Sequence, residues 1–314
     1  MDNQKINWYP GHMAKARRQM EEQIKKADLI LEICDARMPF SSRNPDLNKM
    51  IGSRKRLLIL NKSDLANETV NRRWLGWFQS QGTDAVLLSS LRMNRKELLD
   101  RIDKNTREIT EKALLRGMKK TIRAMVIGVP NVGKSTMINR LRGNSIAQTG
   151  DRPGVTRASQ VIRVTPYLEL MDTPGLLWPR LDDQNAARRL CYIGTIRDET
   201  VDLYALTAAL LEELKTLAPQ ALAERYHLKD LSGDSAKLME EICRGRGWLL
   251  KGGEADLERC CNVVLDEFRG GKIGRISLEE PQNQARNTVN QSDDEKAGNR
   301  NDGPDGESPA ADGF

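Results

Sequence analysis

The sequence predicts an α/β protein, and three observations carry that reading. Short apolar runs alternate with helical stretches as far as residue 181; helical periodicity alone continues over 182–278; and one glycine-rich turn sits between an apolar run and a helix. Such alternation builds a mostly parallel sheet, because parallel neighbours need a crossover helix between them. The chain therefore divides into a basic N-terminal segment at 1–27, a sheet domain at 28–181, an all-helical domain at 182–278 and a polar, acidic tail at 279–314.

Pro10-Gly11 breaks the chain, and Met13 to Lys26 reads as a helix made basic by Lys15, Arg17, Arg18, Lys25 and Lys26. Asp28 to Cys34 is an apolar strand ending in Asp35-Ala36-Arg37-Met38-Pro39. A second strand, Arg56 to Leu60, runs into Asn61-Lys62-Ser63-Asp64. After a helix over Asn71 to Gln79, a third strand at Ala85 to Leu88 opens onto Ser89-Ser90. Arg95 to Lys119 is a long helix with Leu98, Leu99, Ile102, Ile109, Leu114 and Leu115 at apolar positions. Ile122 to Ile127 is a buried strand, and Thr136 to Leu141 resumes helical spacing beyond the glycine-rich turn. Thr149 to Thr156 is a loop rich in breakers. Strands at Gln160 to Val164 and Leu168 to Met171 follow, the second ending in Asp172-Thr173-Pro174-Gly175. Helices are predicted at Val201–Leu217, Ala221–Tyr226, Ser235–Gly245 and Asp256–Arg269. From Pro281 onward the chain has almost no large apolar residues and is expected to be disordered, since it buries too little to offset its ordering entropy.

No apolar run reaches the roughly 18 residues of a membrane span, and the N-terminus has no signal-peptide pattern, so a soluble cytoplasmic protein is expected. The cysteines Cys34, Cys191, Cys243, Cys260 and Cys261 show no metal or disulfide spacing and read as reduced packing thiols. The net charge is +6, yet residues from Glu279 onward hold nine acidic and three basic side chains, which leaves +12 for the rest. A body that basic suits a polyanionic partner such as nucleic acid, although solubility explains it equally well.

The stretch Gly128-Val-Pro-Asn-Val-Gly-Lys-Ser-Thr136 fits GxxxxGK[ST] at Gly128, Gly133, Lys134 and Ser135. Placed between strand and helix, it aims the backbone amides of Asn131, Val132, Gly133, Lys134, Ser135 and Thr136 at phosphates, with Lys134 on the outer phosphates and the Ser135 hydroxyl on Mg2+. Asn61-Lys62-Ser63-Asp64 fits NKxD. A carboxylate at Asp64 accepts from guanine N1–H and the exocyclic amine, a donor pair adenine lacks, while Asn61 and Lys62 brace the loop and cover the base. Ser89-Ser90 offers a backbone amide to the guanine carbonyl, although Ser90-Leu91 departs from the usual Ala-Lys ending. Asp172 is expected to hold Mg2+ through water, and the Gly175 N–H to meet the γ-phosphate. Thr156 stands where a switch threonine completes the metal shell, or is an ordinary loop residue. The order is unusual: the guanine-reading motifs precede the phosphate loop, whereas in familiar GTPases they follow it. A site of this kind arises from a circularly permuted P-loop GTPase domain, which closely spaced chain ends permit.

That order, together with Trp8-Tyr9-Pro10-Gly11-His12-Met13, Asp35-Ala36-Arg37-x-Pro39 and the C-terminal helical domain, resembles the ribosome biogenesis GTPase A family from about Asn7 to Leu278. The resemblance implies a Mg2+-dependent GTP hydrolase acting in late assembly of the large ribosomal subunit, with ribosomal RNA as partner and no membrane, monomeric when free. Leu176 and Leu177 occupy the place where Ras-like enzymes keep a water-orienting glutamine, so another group is required. In the family a histidine near the N-terminus is the proposed substitute, and the matching residue is His12; its competing role is structural or RNA-contacting. Asn131 is, by resemblance, a candidate to bridge K+ and the phosphates, and otherwise an asparagine chosen for turn geometry. Arg244, Arg246, Trp248 and Lys251, with Arg269, Lys272 and Arg275, suit RNA contacts, though solvated helix ends explain them equally; the resemblance places RNA contacts in this domain. Two other readings stay open: a GTPase acting on transfer RNA, and a non-hydrolysing scaffold that uses nucleotide as a structural ligand.

Overall fold

The computed structural model describes residues 11–143, 160–173 and 183–281. Contacts group the chain into Met1–Glu279 and Glu280–Phe314. The first unit opens with α1 (Gly11–Lys26), followed by β1 (Leu29–Asp35), α2 (Leu47–Ile51), β2 (Lys55–Asn61), α3 (Glu68–Ser80), β3 (Asp84–Leu87) and α4 (Arg95–Leu115). The phosphate-loop half supplies β4 (Ile122–Ile127), α5 (Lys134–Arg142), β5 (Gln160–Thr165) and β6 (Leu168–Asp172). Helices alone follow: α6 (Gln184–Tyr192), α7 (Leu203–Leu217), α8 (Pro219–Tyr226), α9 (Ser235–Arg246) and α10 (Leu257–Arg269).

The sheet runs in the order β3-β2-β1-β4-β6-β5, parallel except for β5, which pairs antiparallel with β6 at the edge. Every residue of β1 is buried, as a central strand covered by helices on both faces requires. Its Leu29, Leu31 and Ile33 point into one core with Leu98 and Ile102 of α4 and Met137, Ile138 and Leu141 of α5. Ile30 points the other way, against Met20 and Ile24 of α1 and Leu47 of α2. Under α3, Trp74 and Phe78 cover Leu58 and Leu60 of β2 and Ala85 of β3. Glu32 and Asp35 are the charged residues of β1, and Arg43 answers Glu32 with bonds of 2.8 and 3.0 Å.

Apolar periodicity located most of these elements, but α2 and α6 were not expected. The α2 helix has five residues, too short to show a period, and in α6 Arg188 and Arg189 interrupt a short apolar stripe. Local chemistry sets several helix starts: Asn67, Asn94, Asp183, Asp202, Asp234 and Asp256 each accept backbone N–H bonds at the first turn. The core under α4 and α5 continues without a break into Leu190, Leu210, Leu214, Val264 and Phe268 of the helical part. Sheet and helices thus share one apolar interior.

Candidate nucleotide-binding site

Four of the five parallel strands, β1, β2, β4 and β6, end at Asp35, Asn61, Ile127 and Asp172, and these ends lie along one edge of the sheet. The chain steps outward from β1 to β2 and β3, then returns to the far side of β1 with β4. The reversal opens a crevice at the strand ends, the place where doubly wound sheets bind ligands.

Two glycines of the phosphate loop are dictated by close approach. A Cβ on Gly128 would lie 2.4 Å from the Ile33 carbonyl oxygen of β1. At Gly133 the backbone takes φ +94, and a Cβ would lie 2.3 Å from Asn61 Nδ2. Asn131 also adopts a left-handed conformation, at φ 63, which asparagine tolerates better than other side chains. Immediately after Gly133 the α5 helix begins, so its first amides open onto the loop. The Lys134 ammonium is buried and donates to the carbonyls of Gly128, at 3.0 Å, and Val129, at 2.8 Å. Burial pulls its pKa down to about 8, against the opposing influence of Asp172. The buried cation is held under the loop and aimed by the loop's own carbonyls.

Asn61 is the junction between the two halves of the permuted site. Its Nδ2 donates to the Val132 carbonyl of the phosphate loop at 2.6 Å. Its Oδ1 accepts from the Ser90 N–H at 2.9 Å and the Ser90 hydroxyl at 2.8 Å. One buried side chain therefore fixes the ends of β2 and β3 against the loop that follows β4. The next residues turn sharply: Lys62 has φ 58, and Leu65 N–H bonds the Lys62 carbonyl at 2.9 Å. Ser63 N–H bonds the Leu88 carbonyl at 3.0 Å, tying the Asp64 turn to the Ser89-Ser90 loop. The Ser89 hydroxyl is buried in this loop without a hydrogen-bond partner among the described residues.

The segment after α10 runs along the outside of this turn. Ile276 N–H bonds the Leu65 carbonyl at 3.0 Å, and the Ser277 hydroxyl accepts from Asn67 N–H at 3.1 Å. Arg275 donates to the carbonyls of Ala66, at 3.0 Å, and Ser63, at 3.3 Å. Leu278 N–H reaches the Arg37 carbonyl at 2.8 Å. At the end of the strap, the buried Glu279 carboxylate accepts from Phe40 N–H and from Ser41, beside Arg189 of α6.

Asp35 and Arg37 form a second joint. The guanidinium holds both carboxylate oxygens, Nε on Oδ1 at 3.0 Å and Nη2 on Oδ2 at 2.9 Å, while Nη1 donates to the Phe268 carbonyl of α10 at 2.8 Å. Burial opposes the charged form of Asp35, but the charges of Arg37 and Lys62 prevail and hold its pKa at about 2. Lys62 Nζ lies 3.4 Å from the same carboxylate. On the opposite side of the crevice, Asn131 Nδ2 donates to the Gly194 carbonyl at 2.5 Å and the Thr195 hydroxyl to the Pro130 carbonyl at 2.9 Å. The turn after α6 thus rests directly on the phosphate loop.

Among the predicted site residues, Asn61, Lys62, Ser63, Asp64, Ser89, Ser90, Asn131, Val132, Gly133, Lys134, Ser135, Thr136 and Asp172 meet along this edge. Thr156, Gly175 and Leu176 lie outside the described residues; His12 lies in α1, and its side chain is likewise outside them. The donor set fits Mg2+: a serine hydroxyl at the start of α5 and a carboxylate at the end of β6 are hard oxygen ligands. This ion takes few of them from protein when phosphates supply the others. The two basic clusters read as RNA-facing are partly occupied within the protein. Arg269 grips Asp198 and backbone carbonyls, Arg275 the Asp64 turn, and Arg246 the Arg225 carbonyl. Residues given no part in the site from the sequence are Arg37, Thr195 and Ser277. An acid–base pair two residues apart at the end of an apolar strand was a visible sign of the first; the other two had none.

A parallel sheet with a phosphate loop, an Asn-Lys-x-Asp turn joined to it by Asn61, and the guanine half first in the chain define a circularly permuted P-loop GTPase, an enzyme that hydrolyses GTP. A family model described as 50S ribosome-binding GTPase matches residues 123–226. A Bacillus cereus protein, ribosome biogenesis GTPase A, is 40% identical over 279 residues, covering 88% of this chain and 94% of its own. Its Thermotoga maritima counterpart is 28% identical over 277 residues, covering 88% and 95%. The solved structure of GNP-bound YlqF from T. maritima matches with a TM-score of 0.63 at 26% identity, covering 85% of this chain and 98% of that one. The chain belongs to the ribosome biogenesis GTPase A family.

Proposed function

We propose that the protein hydrolyses GTP during late assembly of the large ribosomal subunit, binding ribosomal RNA in its GTP form and leaving on hydrolysis. The observation that carries this reading is the 50S ribosome-binding GTPase match, which begins within the phosphate-loop strand and extends into the helices. The +12 balance of residues 1–278 supports an RNA partner. In this reading Asp64 selects guanine, and the Ser89-Ser90 loop meets its carbonyl. The amides of Asn131 to Thr136 and Gly175 hold the phosphates, and Ser135, Thr156 and Asp172 hold Mg2+. GTP orders the Thr156 loop and the segment after Asp172, creating the surface that the pre-ribosomal particle reads. His12, on the basic N-terminal helix, orients the attacking water once the particle positions that helix, and the protein acts in the cytoplasm as a monomer. Asn131 would be the residue that holds K+, which would supply positive charge beside the phosphates; the Asn131 NH2 bond to Gly194 supports this, because it leaves the amide oxygen as the end for a cation.

GTP turnover by wild type and His12→Ala, with and without purified large subunits, in K+ and in Na+ buffer, tests the proposal. Stimulation lost in the variant while GTP and subunit binding persist is the expected result. Stimulation that survives removes His12 from the mechanism. No response to any ribosomal particle sinks the assembly role, and equal rates in K+ and Na+ sink the potassium site.

A further inference from the structure

Arg269, the last residue of α10, holds the turn that rests on the phosphate loop. Its Nε donates to the Tyr192 carbonyl at 3.0 Å and its Nη2 to the Cys191 carbonyl at 3.0 Å. The same guanidinium pairs with Asp198 through Nη1 and Nη2, each at 2.7 Å. These partners bracket Gly194 and Thr195 on both sides. Gly194, at φ +69, is packed so closely that a Cβ would lie 3.2 Å from Asn131 Nδ2 and 3.4 Å from Arg269 Nε. The guanidinium, the Gly194 backbone and the Asn131 amide are therefore in successive contact. Asn131 gains from being held, because its left-handed backbone is a conformation that a non-glycine residue keeps only when its surroundings impose it.

We propose that Arg269 is a positioning residue for nucleotide binding. By bracing the turn from Tyr192 to Asp198, it sets the Gly194 carbonyl and the Thr195 hydroxyl, which in turn fix Asn131 and Pro130 in the phosphate loop. A partner that moved the end of α10 would change the hold on nucleotide without touching the crevice. The adjacent Phe268 carbonyl receives Arg37, whose carboxylate partner Asp35 lies beside Lys62, so the same helix end also reaches the guanine-reading turn. The proposal rests on nucleotide binding at Gly128 to Thr136.

The test is a double-mutant cycle on the full chain, reading labelled-GDP affinity and the unfolding midpoint together. Lysine keeps the charge of Arg269 but loses the planar fork that reaches carbonyls and carboxylate at once. Arg269→Lys is expected to weaken GDP binding by about three- to ten-fold, the range for one or two lost hydrogen bonds. In an Asn131→Ala background the same change is expected to cost clearly less than in wild type, since the Gly194–Asn131 arm is gone and only the Thr195–Pro130 bond remains to transmit it. A merely structural arginine predicts losses that multiply across the two backgrounds, and that outcome overturns the proposal. An affinity for Arg269→Lys within about two-fold of wild type overturns it as well. Should Arg269→Lys not fold, Asp198→Asn in the same two backgrounds, which weakens the hold on the same guanidinium, reads the same relay. If wild type itself binds no GDP, the phosphate-loop reading fails instead, and the two failures are told apart by that first titration.

Discussion

Replacing Asn61 by aspartate alters one atom of the junction between the two halves of the site. Asn61 is 1% exposed and makes three bonds, donating to Val132 and accepting twice from Ser90. In Asn61→Asp the Ser90 bonds survive, but an oxygen replaces Nδ2 at 2.6 Å from the Val132 carbonyl oxygen. The loss comprises a hydrogen bond worth about 1 kcal/mol and a buried, unsatisfied, repelling pair costing about 1–3 kcal/mol. Because the damage falls on the phosphate loop, GTP affinity is expected to drop by about 30- to 1000-fold, at about 1.4 kcal/mol per tenfold. Burial raises a carboxyl pKa, and the introduced carboxyl, once protonated, would regain a donor for Val132, so affinity should recover as pH falls toward about 6. Titration with a fluorescent GTP analogue at both pH values, alongside Asn61→Ala, which has no such recovery, makes the check. Binding within about three-fold of wild type, or a defect insensitive to pH, would refute the junction argument.

Other outcomes follow from the same geometry. Lys134 titrates near 8 in the folded protein against 10.5 when unfolded, so its burial destabilises the folded state below about 8, and the penalty is relieved as pH rises from 8 to 10.5. Phosphates favour the charged form, so nucleotide binding at about pH 9 should take up a proton; calorimetric heats independent of buffer ionisation enthalpy would contradict this. Arg37→Ala leaves the Asp35 charge buried with Lys62 as its remaining cation and should cost about 3–5 kcal/mol in urea unfolding. The stability contributed by Asp35 is present above its unfolded pKa of 3.8 and is lost as pH falls toward about 2; a flat acid limb in wild type would argue against it. Asp64→Asn should weaken GTP by about 1–3 kcal/mol and shrink the preference for GTP over inosine triphosphate, which lacks the exocyclic amine; an unchanged preference removes Asp64 from base selection.

The layered sheet and the loops at its edge were legible because each rests on local chemistry. An apolar run followed by Gly-x-x-x-x-Gly-Lys-Ser, or by Asn-Lys-x-Asp, shows its strand and its turn within about ten residues. The braces were not legible, because their partners are far apart in the chain. Arg37 meets Phe268, Thr195 meets Pro130, and Arg275 meets Ala66 across 209 residues. Arg269 and Arg275, beside glycines and a lysine, have the composition of an RNA patch, and that composition gives no sign of the hydrogen bonds they make inside the protein. The α6 helix was missed because its arginines hid a short amphipathic stripe of Ala187, Leu190 and Cys191.

The strap from Gly271 to Glu279 is the last part of the first unit to leave the ribosome that makes the chain. A growing polypeptide displays the Asp64 turn first and the phosphate loop later, but Ile276, Ser277 and Leu278 close over Leu65, Asn67 and Arg37 only once the helical part has emerged. Unfinished copies stopped at Gly270 should therefore hold GDP more weakly than full-length chains, and equal affinity would show the strap to be dispensable. Firm nucleotide binding then marks a chain whose strap has been made.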